Sequence, residues 1–418
     1  MVTGAWRSAD RARTISHSSP RSIDPPNPHS PIPNPLASAA AVAACCLLIC
    51  AATVTARAPE VLRSVGAVPA HVAGRFRDAS GFQQASSGQY YVFDRRSHVV
   101  FGLDTDQSSA WEIVHIGGEE GRIIDPTAFA VEPGGTFVVA DAPNNRERIQ
   151  IFTSAGFRIG GFLLPGRLKT RVVFDNAVLN GIGSLQYTGT TILMSQPETG
   201  ALITIYELNG GVHRTIGALR RTGHEDDHEL HLALNSGIPL VDPTGGFYFV
   251  FQTGEPVFRK YDAAGQLVFE RRMQGREIDD LVANLPSTWP TRKTDDGEVP
   301  LVRPTIRTAG VDRAGNLWIA FVIPYTYVFD RDGDKVRTIQ FRAAGLIAPT
   351  SLFFGANNRV LVTPGLYEFA IVNGSARSGD GAEGSGVSVL SVLSDLPDPL
   401  DPPGLPDLPD PPDLPGVP

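Results

Sequence analysis

Cysteine is scarce in this 418-residue chain. The three cysteines, Cys45, Cys46 and Cys50, all lie inside one apolar segment near the N-terminus. The chain after that segment contains none, which excludes disulfides and thiol chemistry from it. Export remains compatible with this absence, because a large domain closed by sheet packing does not need the covalent cross-links of small secreted domains.

Recognisable catalytic and nucleic-acid-binding motifs are also missing. The sequence has no Gly-x-Ser-x-Gly nucleophile motif and no phosphate-binding loop of the Gly-Lys-Ser/Thr kind. The run of basic residues at Arg214, Arg220 and Arg221 is short, and the formal net charge of the chain is −8. We therefore expect no nucleic-acid partner.

His224-Glu225-Asp226-Asp227-His228 carries the letters of the zinc-protease motif H-E-x-x-H. That motif needs both histidines on one face of a buried helix, whereas here two aspartates fill the middle and Gly223 precedes the segment. A solvated linker is the favoured interpretation. A peripheral metal site made by His224, His228 and His231 is the alternative.

Two segments of biased composition flank the centre of the chain. Residues 1–35 are rich in proline, serine and arginine without apolar periodicity, which predicts a disordered leader. Residues 374–418 carry eight acidic residues and one arginine, so they supply −7 of the net charge. Their Leu-Pro-Asp repeats cannot form a helix or a ladder, and we expect a disordered spacer or solubilising tail. Docking through the Leu-Pro units is the alternative.

Residues 36–56 are predicted to be a signal peptide or a membrane anchor. A long apolar run follows an arginine-bearing front and ends in Val54-Thr55-Ala56, after which cleavage is expected. The run is also long enough to span a bilayer if it is retained, and Val42-Ala43-Ala44-Cys45 is similar to a lipoprotein cleavage box. We predict export to the periplasm or the extracellular space, with membrane contact only through this segment if it stays uncleaved.

The centre of the chain repeats one pattern of short strands and turns. Its clearest copy, residues 125–156, has an alternating apolar run, a Pro-Gly-Gly break, a second apolar run closed by Asp141, an Asn-Asn-Arg turn and a third run. The turn before the second strand recurs at positions 88, 135, 189, 246, 315 and about 358. Propeller blades repeat at roughly 40–50 residues, so six blades with insertions are predicted.

The copy from Pro126 to Gly156 resembles the NHL repeat, P-x-G-h-A-h-D-x-x-G-x-h-h-V-A-D-x-x-N-x-R-I-Q-h-F-x-x-x-G, apart from a two-residue insertion between Arg146 and Ile149. Residues 311–320 match part of it, and the other copies match in pattern. The resemblance implies an all-β, six-bladed β-propeller of the NHL-like family over residues 66–372. It implies no defined activity, because propellers carry many functions. We expect residues 70–76 to add an outer strand to the last blade.

An insertion interrupts the repeats between about Gly275 and Pro304. Apolar residues at 278, 281, 282 and 285 have helical spacing, and Pro286 ends the predicted helix. A polar loop around Trp289 follows. Such a helix over a propeller face can act as a lid, but surface decoration is the favoured interpretation, because insertions in loops cost little stability.

The candidate binding residues lie where the first strand of a repeat begins or the second ends. In a propeller these strand ends gather at one mouth of the central channel. The predicted ligand-binding residues are Asp78, Asp94, Asp125, Asp141, Asn180 and Asn235. The candidate metal ligands among them are Asp125, Asp141, Asn180 and Asn235, whose oxygens suit Ca²⁺ or another divalent cation. The alternative is that these side chains cap turns.

The sequence therefore predicts a monomeric, non-catalytic scaffold that binds an unidentified protein or small-molecule ligand and needs no cofactor. The alternative is a metal-dependent lactonase-like or lyase-like enzyme that uses the oxygen-rich residues at the channel mouth. A stoichiometric divalent ion would separate these two hypotheses.

Overall fold

The computed structural model describes residues 58–165, 170–174, 177–180, 183–294, 297–355 and 357–371. The predicted leader (1–35), the signal or anchor segment (36–56) and the acidic tail (374–418) lie outside the described residues. Within the described ranges, no helix is both long enough and apolar enough to cross a membrane.

Short strands are the predominant secondary structure of the described chain. In chain order they are β1 Glu60–Ala67, β2 Ala79–Gln84, β3 Tyr90–Asp94, β4 Val99–Leu103, β5 Ala110–Val114, β6 Ala128–Val131, β7 Phe137–Asp141, β8 Arg148–Phe152, β9 Arg158–Leu163, β10 Thr170–Phe174, β11 Ala177–Asn180, β12 Leu185–Tyr187, β13 Thr191–Met194, β14 Ala201–Glu207 and β15 Val212–Ala218. They continue with β16 Gly237–Val241, β17 Phe247–Phe251, β18 Val257–Tyr261, β19 Leu267–Arg272, β20 Thr291–Thr294, β21 Gly297–Pro300, β22 Ile306–Val311, β23 Leu317–Phe321, β24 Thr326–Phe329, β25 Lys335–Arg342, β26 Ser351–Phe354, β27 Arg359–Thr363 and β28 Tyr367–Ala370.

Four separate sheets each contain four strands in sequential order. They are β2 to β5, β6 to β9, β12 to β15 and β16 to β19, and consecutive strands within each sheet pair antiparallel, as β6 with β7, β7 with β8 and β8 with β9. The second and third strands of the first two sheets, β3, β4, β7 and β8, are buried at every residue. Such four-stranded meanders are the units of propeller architectures.

The remaining large sheet has eight strands in the order β22-β23-β24-β25-β1-β28-β27-β26. Strand β1 lies at its centre, where residues 60–63 pair in parallel with β25 and residues 64–67 pair antiparallel with β28. Arg337 fixes the start of β1 by donating from Nε and Nη2 to the two carboxylate oxygens of Glu60, at 2.9 and 2.8 Å. The N-terminal strand therefore joins the last two groups of strands.

The prediction that residues 70–76 form this joining strand is wrong. Residues Ala70–Ala73 form a short helix, α1, in which the backbone N–H groups of Val72 and Ala73 both bond to the carbonyl of Pro69. Pro69 is the N-cap of this helix, a position where the missing N–H of proline costs no hydrogen bond within the helix. Val72 packs under the helix into the core with Phe82.

The first strands of successive groups contact one another around a closed circle. Strand β2 contacts β6, and the contacts continue through β12, β16, β22 and β26 back to β2. Apolar side chains fill the space between neighbouring sheets, as where Tyr91 and Phe93 pack against Phe129 and Phe137. The all-β chain therefore has a propeller-like arrangement in which each sheet covers the next.

Buried tyrosines tie neighbouring sheets at equivalent positions. Tyr91 in β3 donates to the carbonyl of Gly135 at 3.1 Å, and Tyr248 in β17 donates to the carbonyl of Gly315 at 3.3 Å. Both glycines lie in the turn between the first and second strands of the following group, with φ of +95° and +83°. Glycine adopts this conformation at little cost. The recurrent turn therefore also receives a hydrogen bond from the preceding sheet.

Glutamines make a second set of ties along the innermost strands. The Oε1 atom of Gln83 accepts from the backbone N–H of Val131 at 2.7 Å, and Oε1 of Gln186 accepts from Val241 at 2.8 Å. Each bond links the first strand of one sheet to the first strand of the next. The glutamines therefore accept hydrogen bonds from backbone N–H groups that face away from the neighbouring strand of their own sheet.

The insertion contains less helix than its sequence pattern predicts. A 3-10 turn at Arg276–Ile278 leads into α3, Asp279–Ala283, and the hairpin β20–β21 follows. Before it in the chain comes α2, His228–Leu234, which contacts both β10 and β21. Two hairpins and two short helices thus gather beside the strand ends of the fourth and fifth groups.

Candidate functional site

The polar residues of the best-matching repeat form a buried structural network. Arg148 donates from Nε and Nη2 to the carboxylate oxygens of Asp141 at 2.9 and 2.6 Å, and it also bonds the carbonyls of Gly118 and Arg122. Asp141 is 1% exposed. Burial raises the pKa of Asp141, and Arg148 opposes that rise. Both side chains therefore hold the loop that precedes β6.

Two more of the predicted ligand residues bond to nearby backbone. The carboxylate of Asp94 accepts from the backbone N–H groups of Arg77 and Asp78 at 2.7 and 3.1 Å. The side-chain amide of Asn235 accepts from the backbone N–H of Arg220 at 2.8 Å and donates to the carbonyl of the same residue at 3.2 Å. Both side chains are fully buried. Each side chain therefore ties its strand end to a backbone segment that lies 15 to 17 residues earlier in the sequence.

The other predicted residues lie in more open surroundings. Asp78 pairs with Arg95 at 3.1 Å, and Asp125 is 70% exposed with one carboxylate oxygen 3.7 Å from Nε2 of His98. Asn180 ends β11, and its side chain is outside the described part of the structure. Among the residues that are described, no three His, Cys, Asp or Glu side chains are grouped so as to hold a metal ion. The cation site stays a prediction.

A central cavity of about 590 Å³ lies between the first strands of the sheets. Its polar lining includes Asp78, Arg95, Gln186, Gln252 and Arg307. Of the six predicted ligand residues, Asp78 lines the cavity, whereas Asp94, Asp125, Asp141 and Asn235 do not. Among the predicted ligand residues whose side chains are described, Asp78 is therefore the one that lines this cavity.

A larger cleft, of about 1400 Å³, lies between the fourth and fifth groups of strands and is covered by the insertion. Four loops that are far apart in sequence line it, namely residues 220–224, 254–257, 281–290 and 322–325. We call it the insertion cleft. Pockets that bury ligands in proteins are concave and combine apolar walls with polar groups that set orientation. The insertion cleft combines apolar residues, such as Leu281, Leu285 and Ile323, with many charged ones.

Aromatic residues form one wall of the insertion cleft. Trp289 is half-buried, packs against a small cluster that includes Leu234 and Val302, and meets the ring of His224 edge-on at 5.1 Å. Tyr325 contributes a second aromatic side chain to the lining. The prolines of the lining are Pro286, Pro290, Pro304 and Pro324. The lining is therefore rich in aromatic rings and prolines.

The first turn of the insertion is fixed to the fifth group of strands. The hydroxyl of Tyr327 donates to Glu277 at 2.7 Å, and Lys335 Nζ lies 3.8 Å from the same carboxylate. Burial alone would raise the pKa of Glu277, but the hydrogen bond from Tyr327 and the charge of Lys335 lower it below its ordinary value. Ile278 is buried in the core beside these residues.

Arginines outnumber the acids available to them in the insertion cleft. Two lining arginines form ion pairs, Arg272 with Glu255 at 2.8 Å and Arg259 with Glu270 at 2.6 Å. Three others do not pair with an acid within the described chain; these are Arg220, Arg221 and Arg303.

Arg220 holds a fixed position at the back of the insertion cleft. Its guanidinium donates to the backbone carbonyls of Leu234, Thr253 and Glu255 and lies 4.2 Å from the ring centre of Phe251. Burial lowers the pKa of Arg220 to about 10, so it stays protonated at neutral pH. The cleft therefore presents positive charge above an apolar wall.

The H-E-x-x-H segment is not a zinc-protease site. Helix α2 begins at His228, with Asp227 as the N-cap that accepts from the backbone N–H of Leu230 at 3.1 Å. His224 therefore precedes the helix, and the two histidines do not share a helical face. His231 lies on the helix with Nδ1 2.8 Å from the hydroxyl of Thr222.

Comparisons with known proteins add little beyond the fold. No protein-family model matches the chain, and no curated protein matches it significantly. Solved structures with distant similarity include a streptogramin B lyase, at 11% identity and TM-score 0.41 over 70% of this chain and 93% of that one. Hydrazine synthase of Kuenenia stuttgartiensis has 12% identity and TM-score 0.40, over 69% and 94%. A virginiamycin B lyase from Staphylococcus aureus has 10% identity and TM-score 0.41, over 71% and 85%. Similarity this distant defines no activity.

Sequence reasoning did not identify the insertion cleft as a site. The sequence predicts a polar loop around Trp289, and it favours surface decoration over a lid for the insertion. The available signal was the coincidence of an aromatic residue inside an insertion with the short basic run at Arg220 and Arg221. The signal is informative only once these two segments, almost seventy residues apart in sequence, are known to meet in space.

Proposed function

We propose that this protein is an exported, non-catalytic scaffold that binds a ligand or a protein partner in the insertion cleft. The observation that carries the proposal is the combination of a cleft of about 1400 Å³, an aromatic and proline-rich wall, and arginines without acidic partners in the described chain. Apolar walls supply affinity, and a few charged groups set the orientation of what binds. The cleft is also built on fixed elements, because Glu277 and Trp289 anchor both ends of its cover.

The scaffold in this proposal is a six-bladed propeller of the NHL-like kind. The circle of contacts among β2, β6, β12, β16, β22 and β26 supports six units. The eight-stranded sheet then counts as two blades, and β1 is the outer strand of the last blade. Completing the last blade with a strand from the other end of the chain removes two open edges at once.

A ligand screen tests the proposal by asking whether binding depends on a residue of the insertion cleft. Peptides and small molecules are screened against the full chain by thermal shift, and each hit is repeated with Trp289→Ala and Trp111→Ala. Trp111 is the matched control, because it is a partly exposed tryptophan on β5, away from the cleft. Hits lost in Trp289→Ala and kept in Trp111→Ala support the proposal. Hits that are equally tight in both variants would place binding elsewhere.

The second candidate is a metal-dependent lactonase-like or lyase-like enzyme that uses the channel mouth. The observation that favours it is the carboxylate of Asp125, which is 70% exposed and lies beside His98. Metal analysis of the purified full chain tests this candidate, with Asp125→Ala as the variant. Asp141→Ala is unsuitable because it would break a buried ion pair. A stoichiometric divalent ion that chelator removes, and that Asp125→Ala cannot hold, supports the enzyme.

Export is tested by the N-terminus of the protein recovered from cells. Cleavage after Ala56 gives a chain that begins at Arg57 and is released from the membrane fraction. An intact N-terminus in the membrane fraction would indicate a retained anchor, and a lipid-modified N-terminal Cys45 would indicate a lipoprotein.

A further inference from the structure

We propose that the insertion cleft recognises acidic, proline-rich peptides in an extended conformation, and that its resident occupant is residues 405–415 of this same chain. The inference rests on the proposed function, because it uses the same cleft and names what binds there. It is carried by the shape of the cleft, by its charge and by the periodicity of the C-terminal sequence.

The shape of the cleft suits an extended peptide better than a compact small molecule. Its volume of about 1400 Å³ exceeds the roughly 300–1,000 Å³ of ordinary small-molecule pockets. Proline-rich peptides in the polyproline II conformation bind in grooves lined by aromatic side chains. Trp289 and Tyr325 supply aromatic rings, and Pro286 and Pro324 stiffen the loops that carry them.

The charge of the cleft selects an acidic peptide. The ion pairs of Arg259 and Arg272 consume the lining acids Glu270 and Glu255, and Glu277 is bonded to Tyr327 and lies near Lys335. What remains in the lining is an excess of arginine, from Arg220, Arg221 and Arg303, over the single lining acid Asp280. Carboxylates of a bound peptide would offset that excess.

The C-terminal sequence repeats with the period of a polyproline II helix. Residues 405–415 read Leu-Pro-Asp-Leu-Pro-Asp-Pro-Pro-Asp-Leu-Pro. A polyproline II helix has three residues per turn, so residues three apart share one edge. Asp407, Asp410 and Asp413 then form an acidic edge, while Leu405, Leu408 and Leu414 form an apolar edge. One edge meets the arginines and the other meets the aromatic wall.

The connecting chain is long enough for this segment to reach the cleft. The last described residue, Ile371, directly follows β28, which ends at Ala370. Strand β28 pairs antiparallel with β27, so it runs away from the strand ends that border the insertion cleft. The residues from 372 to 404 can span roughly 100 Å when extended, at about 3.3 Å per residue. A five-residue strand spans only about 17 Å, so the path around the edge of a sheet is short by comparison. Tethering also gives an effective concentration on the order of millimolar.

The experiment compares the full chain with a full-length tail variant that carries Leu405→Ser, Leu408→Ser and Leu414→Ser. These positions lie outside the described sheets. Hydrogen exchange of residues 279–289 should be at least fivefold slower in the unchanged chain than in the tail variant. A synthetic peptide of residues 405–415, added in trans to the tail variant, should restore the slow exchange. Its affinity should fall at least tenfold with Trp289→Ala or with Arg221→Glu plus Arg303→Glu, and should be unchanged with Trp111→Ala.

Three outcomes would overturn the inference. The first is equal exchange in the two chains with no binding of the peptide. The second is binding of the peptide in trans while the unchanged chain leaves the cleft open, which would make the occupant a peptide of another protein. The third is protection that grows with protein concentration, which would make it a second copy of this chain. A screened ligand that depends on Trp289 while the peptide does not bind would leave the proposed function standing without this inference.

Discussion

The ion pair between Arg148 and Asp141 is buried on both sides, with the two side chains 9% and 0% exposed. Arg148→Ala leaves a carboxylate in the core with one backbone donor, from Ile124. We expect a loss of about 3–5 kcal/mol in the free energy of unfolding, measured by urea denaturation. The control is Arg148→Met combined with Asp141→Leu, which removes both charges and should cost less than the single change. A single change that costs under 1 kcal/mol would contradict the structural role.

Glu277 makes the attachment of the insertion sensitive to acid. Its pKa in the folded state is lowered from the ordinary value of 4.5, so the carboxylate contributes stability above about pH 4.5. That contribution is lost as the pH falls through the lower folded-state pKa, because protonation then favours the unfolded chain. Glu277→Gln should cost about 1–2 kcal/mol at pH 7 and less at pH 3, measured by urea denaturation at both values. A difference that is the same at both pH values would contradict this assignment.

The sequence locates polar residues at strand ends but not the direction of their side chains. Asp94, Asp141 and Asn235 do lie at the predicted ends of strands, yet their oxygens are consumed by Arg148 or by adjacent backbone N–H groups. An aspartate whose carboxylate was free to bind a ligand would give the same sequence pattern at the same position. Only Asp78 and Asp125 keep exposed oxygens among the predicted side chains that the structure describes.

At the scale of elements, β1 joins the first described residues of the chain to the last two groups of strands. Leu62 is 6% exposed and packs with Trp318 and Val360, whereas its neighbour Val61 is 41% exposed. Leu62→Ala should cost about 2–4 kcal/mol because it leaves a cavity in the core beside Trp318 and Val360. Val61→Ala should cost under about 0.5 kcal/mol and serves as the matched control. Thermal unfolding of both variants measures the difference, and equal effects would show that β1 contributes little packing.

A strand that buries only one residue has no apolar pattern by which its sequence can be recognised. Strand β1 buries Leu62 alone among its eight residues, so it lacks the apolar alternation that identifies a strand. Residues 70–76 alternate better, but residues 70–73 form α1. No residue of the outer strand β9 is fully buried and the outer strand β19 is largely exposed, and the sequence pattern predicts neither strand. The inner strands were predicted well, because they are apolar along their length and are followed by glycine turns.

The insertion cleft belongs to the scale of the whole molecule. Its walls come from four loops separated by up to a hundred residues, and no local pattern records that they meet. The repeats predict which strands neighbour one another, and hence that loops of the fourth and fifth groups adjoin. They do not predict the volume between those loops, since that depends on how the hairpin β20–β21 and α2 pack together.

Closure of the circle of sheets should make unfolding cooperative across the molecule. In an open array of repeats a local change can unfold one part alone, because each repeat contacts only its neighbours. Here β26 returns to contact β2, and β1 joins β25 to β28, so each sheet has a neighbour on both sides. Arg148 lies in the sheet of β6 to β9. Arg148→Ala should therefore lower the urea midpoint of that sheet, and it should lower the urea midpoint of the strands around Trp318 by the same amount. Hydrogen exchange followed by mass spectrometry at increasing urea measures both midpoints in one sample. A midpoint that falls for β6 to β9 while β22 to β25 stay unchanged would show that the sheets unfold independently, and that the circle does not couple them.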